Sequence, residues 1–475
     1  MRLLAILHRW WGVAFCLLFA MWFASGIVMH FVPFPARLGA EHSPGRVAID
    51  RDQVAHGPSQ AVAASGIRDV TRVRLVGRRD GPVYFVSGPL AARVLRAADL
   101  EDGGVHSEPA ALDIALAGAR SLGLDVSRAG VAEQTPYDQW TVSGEFDPDR
   151  PLYRVAVNDA DGTELYVSSK TGDVVLVTTL KARALNYFGS VVHWLYPPAL
   201  RRHQSAWSAV MWWLSLAATI GAALGVVIGL LRLTQAGRSA TPYRGLQAWH
   251  HRFGLAFAPF ILSWIFSGFL SMADARFSST SASPAEAFSL AGAPAWERLA
   301  PGALDGTAAS SDEIEWFALA GHIYRRDRVA VGEQRISLAV PETNVAASSR
   351  AFLGADEIDS AAKQLGRDCG HAVAVVAGDP YRATPQFAEA PVFRIVCGNT
   401  WYEIDGATGA LMSRLDPARR AWRWLFAGLH TLDFPWLRSR PPLRTAIIVA
   451  LCLCGFGFSL SGVVLAWRRV RASVV

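Results

Sequence analysis

Charge is missing from four stretches of this 475-residue chain: residues 10–36, 203–231, 253–273 and 445–467 contain no aspartate, glutamate, lysine or arginine. Each is at least 21 residues long, and about 20 apolar residues suffice to cross a bilayer as a helix. Four membrane spans are therefore expected. Cysteine is also scarce. The five cysteines form no CxxC or CxxCH, so thioredoxin-like chemistry and covalent haem attachment have no support. There is no flavin or nicotinamide fingerprint, and His42, His56, His106, His322 and His371 follow no zinc spacing.

The chain is 51% hydrophobic and only 18% charged, with 17 tryptophans, the composition of a membrane protein. It divides into a first span (1–36), an outer domain (37–202), a second span (203–233), a short loop (234–249), a third span (250–273), a second outer domain (274–429) and an interfacial segment with a fourth span and tail (430–475). The first apolar run exceeds the roughly 7–15 residues of a signal peptide and no small-x-small cleavage site comes after it, so it is expected to stay as an anchor. An even number of spans separates the two long segments, which puts them on one side. The short segments are basic, with Arg2 and Arg9, then Arg232, Arg238, Arg244 and Arg252, then Arg468, Arg469 and Arg471. The positive-inside rule assigns these to the cytoplasm and both large segments to the outside. The net charge of +6 is explained by topology and calls for no nucleic acid. Cys16, Cys452 and Cys454 lie in spans, whereas Cys369 and Cys397 share an outer segment, where one disulfide is expected.

The sequence repeats itself. A shift of 242 residues places His8 on His250, Gly12 on Gly254, Trp22 on Trp264, Ser25 on Ser267 and Gly26 on Gly268. A shift of 237 superposes Thr171-Gly172 on Thr408-Gly409, His193 on His430, Pro198 on Pro435, Arg201 on Arg438 and Gly225 on Gly462. Each half reads span, outer domain, span, as parallel repeats about an axis along the membrane normal. The outer segments alternate as strands in "LYRVAVND", "TELYVSS", "VFRIVCG" and "TWYEID", after helical patterns in "EPAALDIALAGARSLG" and "GADEIDSAAKQLG". Residues 37–60 and 277–312 read as linkers or irregular loops.

A lone histidine at a span end is ordinarily an interfacial residue. The repeat instead pairs His8 with His250 on one side of the membrane and His193 with His430 on the other, as a bis-histidine haem at each end requires. Neutral imidazole gives one nitrogen to iron while the other is held by a hydrogen bond. Two alternatives stay open: His251 adjoins His250, about 100° away on a helix, and His30, whose repeat partner is Met272, could serve on the outer side. The paired glycines either admit a porphyrin or let helices pack closely. Trp22 and Trp264 either lie between the two sites or are packing residues.

"LHRWWG" leading to "ASGIV", "WHHRFG" leading to "FSGFL", the "TG" strands before "VVHWL" and "GLHTL", and the closing "GVVIGLLRL" and "SGVVLAWRR" resemble the PepSY-associated transmembrane family of bacterial iron-regulated inner-membrane proteins. The resemblance covers nearly the whole chain, though its motifs are short. It implies four transmembrane α-helices in two parallel pseudo-symmetric repeats, each carrying an α+β PepSY-like periplasmic domain. It also implies haem b, about two per chain, held by His8, His250, His193 and His430. The "HHRFG" departs from the family's "HRxxG", with Arg252 two residues after His250, and keeps His251 in contention. The expected function is outward electron transfer from a separate cytoplasmic or quinol donor to a periplasmic acceptor, a ferric siderophore above all. Hard oxygen ligands hold Fe(III) more tightly than Fe(II), so one electron releases the metal. The alternative is a non-enzymatic, membrane-anchored PepSY protein that binds peptides or regulates a protease. Siderophore transport through the bundle is disfavoured by spans with no charged residue and no expected break.

Overall fold

The computed structural model describes residues 2–39, 43–235, 241–272, 283–299, 304, 309–329, 334–338, 350–366, 368–384 and 389–474. Three of its helices, Arg2–Phe31, Gln204–Gln235 and Pro441–Val474, are long and apolar enough to cross a membrane. The first packs chiefly against the last, and Gln204–Gln235 packs against Ala258–Ser271.

The third apolar stretch departs from expectation. Instead of one straight helix it forms Gly245–Ala256 and Ala258–Ser271, bent by 70° at Phe257. Pro259 stands in the first turn of the second piece. Having no N–H to donate and a ring that collides with the preceding turn, it starts a helix well but cannot continue one. The expectation of an unbroken span is corrected accordingly.

Outside these helices the chain is α+β. The first long segment gives β1 (Arg72–Val76), β2 (Val83–Ser87), β3 (Ala92–Arg96), β4 (Gly130–Thr135), β5 (Leu152–Ala156), β6 (Glu164–Ser168) and β7 (Val174–Thr178). The second gives β8 (Ser311–Leu319), β9 (His322–Val329), β10 (Gln334–Leu338), β11 (Val373–Ala374), β12 (Val392–Cys397), β13 (Thr400–Asp405) and β14 (Leu411–Leu415). Strands β4 to β7 form one antiparallel sheet in sequence order, and β11 to β14 another. The remaining six combine as β10-β9-β8-β1-β2-β3. Strand β8 lies antiparallel to β1, with Arg74 opposite Glu315 and Val76 opposite Glu313. The two outer segments are thus joined, since the middle sheet draws three strands from each.

Side chains alternate across this shared sheet. Val73, Leu75, Tyr84, Val86, Ile314 and Trp316 turn to one face and build a core. The other face carries ions. Arg74 pairs with Glu313 at 2.8 Å, Arg328 with Asp312 at 2.9 Å, Arg326 with Glu315, and Arg46 with both Glu313 and Asp173. The two repeated "TG" turns dock on this face, the Thr171 carbonyl accepting from Arg78 and the Thr408 carbonyl from Arg72, both at 3.2 Å. Each turn needs its glycine in the left-handed region, with φ of +70° at Gly172 and +65° at Gly409.

Cys369 and Cys397 are joined by a disulfide that ties the chain after helix Ala355–Ala362 to the end of β12. The stretch 277–312, expected to be irregular, contains a helix at Pro284–Ala291. Ser283 and Glu286 close a capping box there, and Pro284 fills the first turn.

Candidate functional site

Two histidine pairs flank the helical bundle. The segments bearing His193 and His430 are built alike. Helix Leu180–Asn186 runs into a π turn at Tyr187–Val191, and helix Pro417–Arg423 into another at Trp424–Gly428. A π turn inserts one residue and re-aims the side chains beyond it. Two residues past each turn stand His193 and His430, whose ring centres are 6.4 Å apart with planes inclined by 69°.

Hydrogen bonds fix which nitrogen each ring presents. The Ser25 hydroxyl donates to the Met21 carbonyl at 2.6 Å, so its oxygen accepts from His193 Nδ1, 2.9 Å away. His430 Nδ1 lies 3.2 Å from the Ser267 hydroxyl and 3.3 Å from the Trp264 carbonyl, and a carbonyl can only accept. Both rings therefore carry hydrogen on Nδ1 and a lone pair on Nε2, a tautomer assigned from these partners. Gly268 leaves room for this arrangement, since a Cβ there would stand 3.2 Å from His430 Cε1.

At the other end of the bundle, a cavity of about 480 Å³ is lined by His8, His250 and His251 together with Gly12, Gly225, Gly462, Phe19, Phe23, Arg9 and Arg469. The size is that of a small-molecule site, for which about 300–1,000 Å³ is usual. His8 packs on Gly225, where a Cβ would stand 2.8 Å from its Cε1. His250 lies against Gly462 and stacks on Phe458, ring centres 4.5 Å apart. The repeated glycine thus makes space for the imidazole itself. Because the Ser461 hydroxyl donates to the Phe458 carbonyl, its oxygen accepts from His250 Nδ1 at 2.7 Å. His250 consequently presents Nε2, as the outer pair does.

The alternatives are engaged differently. His251 Nε2 faces the Gly229 carbonyl at 3.0 Å and must be the donor there, which uses the nitrogen that His250 keeps available. His30 Nε2 is 2.9 Å from the Thr445 hydroxyl. Trp22 does not lie midway between the sites, since its indole donates to the His193 carbonyl at 2.9 Å. Trp264 stacks on Phe23, which also lines the cavity. His8 and Ser25 sit seventeen residues apart on one helix, about 25 Å along its axis at 1.5 Å per residue. The two pairs are therefore at opposite ends of a membrane-length helix.

No group of three or more His, Cys, Asp or Glu side chains suited to a metal occurs among the described residues. Two imidazoles alone complete a coordination sphere only when the metal brings its other ligands with it. The outer pair, each ring presenting Nε2, would hold one such metal. Ser461 carries no repeat signal in the sequence, because its counterpart at the 237-residue shift is Leu224. The serine-to-Nδ1 bond supplies the first test. Ser25→Ala leaves His193 Nδ1 without its partner and should weaken ligand retention about 10–100-fold. Ser267→Ala should cost less, because the Trp264 carbonyl still accepts from His430 Nδ1; retention against a competing scavenger measures both.

No protein-family model and no curated protein matches this chain.

Proposed function

We propose that this chain is a b-type haem protein of the bacterial inner membrane that moves electrons outward to a periplasmic acceptor, with ferric siderophore the favoured one. The observation that carries the reading is the recurrence of one constellation: imidazoles paired at each end of the bundle, three of the four held through Nδ1 by a serine. In this reading the bent pair Gly245–Ala256 and Ala258–Ser271 is a fourth span, the two halves are parallel repeats, and the sheets are PepSY-like domains in the periplasm. Both termini then lie in the cytoplasm, as the basic flanks require.

Haem bound by two imidazoles would supply a one-electron centre closed to oxygen. The chain's own residues would bind and orient it. His8 and His250 would hold one group at the cytoplasmic end, and His193 and His430 a second at the periplasmic end. Gly225, Gly462 and Gly268 keep the rings seated, while Arg9 and Arg469 set positive charge at the cavity. The electron donor is a separate partner, either cytoplasmic or quinol.

The break at Phe257 reopens the question of transport, since transporters bind substrate at interrupted helices. Here Gly254, Leu255 and Ala258, on the two sides of the break, line the cavity with apolar surface, and Phe253 stacks on Phe257 at 4.4 Å. Such packing offers no polar contact to a hydrophilic chelate and supports the electron-transfer reading.

The test is spectroscopic. Protein purified in mild detergent should show sharp dithionite-reduced bands of six-coordinate b-haem at about two per chain. Reduction of a ferric chelate by that protein is the next assay. A colourless protein that takes up no added haem would sink the proposal and move attention to the peptide-binding alternative.

A further inference from the structure

The two halves end each histidine-bearing segment alike and then hold it with different chemistry. His193 is followed by Trp194 and Leu195, and His430 by Thr431 and Leu432, each 237 residues after its counterpart. Both leucines take the left-handed region, with φ of +48° and +51°. A side chain with a Cβ adopts that conformation at a cost and needs support from its surroundings. The support comes from the next long helix. In the first half Trp207, the fourth residue of Gln204–Gln235, donates its indole N–H to the Trp194 carbonyl at 2.9 Å. In the second half Arg444, the fourth residue of Pro441–Val474, donates to the Thr431 carbonyl from Nε at 3.1 Å and from Nη2 at 2.7 Å. Positions 207 and 444 are again 237 residues apart.

One carbonyl is thus held by a neutral donor and the other by a cation, so the hydrogen bond by itself does not call for charge. Among the described residues no carboxylate pairs with Arg444. The nearest acid along the chain, Asp433, is taken by Arg423 at 3.0 Å and by Arg438 at 3.7 Å. In the first half Arg201 bonds to Gln204 and stacks on the Trp207 ring at 4.7 Å, so its charge stands one side chain removed from the Trp194 carbonyl. Arg444 is half-buried, where a charge is screened less than at an open surface. Its guanidinium is anchored on the residue next to His430. An electron reaching a group held by the outer pair adds negative charge, and a cation fixed beside it favours that state.

We infer that Arg444 is a positioning residue of the outer site whose charge, rather than its hydrogen bond, biases a haem held by His193 and His430 toward the reduced form. The inference rests on the proposed haem reading and names what tunes the end from which electrons leave. Trp207 does the same holding in the first half without adding charge.

The test is a redox titration of the full-length protein in mild detergent, with dithionite and ferricyanide, read in the visible bands alongside haem content. The outer step is the one that His430→Ala removes. Arg444→Gln keeps an N–H donor for the Thr431 carbonyl and loses the charge. It should lower the reduced-to-oxidised ratio of that step about tenfold at fixed potential, equivalent to about 59 mV for one electron. Arg444→Lys keeps the charge and should restore the parent value. Trp207→Phe removes the first half's hydrogen bond, leaves a ring beneath Arg201, and should not move the outer step. Haem content should stay at the parent level in both Arg444 variants. An outer step unmoved in Arg444→Gln, or moved equally in Trp207→Phe, would overturn the inference and leave the proposed function standing. Loss of outer haem from Arg444→Lys as well as Arg444→Gln would reduce the contact to one that only holds the segment, and the inference falls. A colourless parent would overturn the inference and the proposed function together.

Discussion

Replacing His193 or His430 by alanine should halve the haem content, each variant keeping one group per chain at the cytoplasmic end. The expectation comes from the outer pair's geometry. With Nδ1 of both rings engaged, each histidine would have a single nitrogen to offer iron, and the loss of either would remove one of the two donors. Neighbouring histidines offer no replacement. His30 is held at the Thr445 hydroxyl and His251 at the Gly229 carbonyl, so His30→Ala and His251→Ala should retain full content. His8→Ala and His250→Ala should remove the other half. Haem per protein and the reduced spectrum of each variant settle the assignment. Full content in both His193→Ala and His430→Ala would reject the outer pair as ligands even if the protein proved to be a cytochrome.

The apolar helices and the histidine pairs were legible in the sequence because each leaves a mark that survives without neighbours. A run free of charge needs only length, and two histidines at one repeat spacing need only alignment. Thr171-Gly172 and Thr408-Gly409 were visible as repeats, but their purpose was not, since it lies in carbonyls turned toward arginines about 90 and 340 residues away. The shared sheet could not be read at all. Alternation tells which residues of β1 and β8 face together, and nothing local tells that these strands, 243 residues apart at Arg72 and Glu315, are neighbours. Ser461 lacked a repeat partner and so lacked a signal. Pro259 was a signal in plain view, outweighed by the expectation that an uncharged run is one straight span.

Glu313→Ala should be the most destabilising single change outside the membrane. Glu313 accepts from Arg46, of the first segment's approach to the sheet, and from Arg74 of β1, while Arg46 also reaches Asp173. The carboxylate is 4% exposed and the Arg46 side chain 5%. Burial by itself opposes its ionisation, but Arg74, Arg46, Arg328 and Arg326 outweigh that and hold its pKa well below the ordinary glutamate value. Removing it leaves two guanidiniums confronting each other out of water, a loss of about 3–5 kcal/mol. Melting of the extramembrane sheets should fall by about 10 °C. A carboxylate whose folded pKa is depressed contributes fully above its unfolded value, here 4.5, and the contribution fades as pH falls below it toward the folded pKa. The gap between parent and Glu313→Gln should accordingly be widest near neutral pH and narrow on acidification. A gap that instead widened below pH 4.5 would mean that the carboxyl is protonated in the folded chain. Glu313 comes from one half and Arg46 and Arg74 from the other, so the bond joins the two segments that lead to His193 and His430. Loosening it should therefore lower haem occupancy at His193 and His430 before it affects His8 and His250.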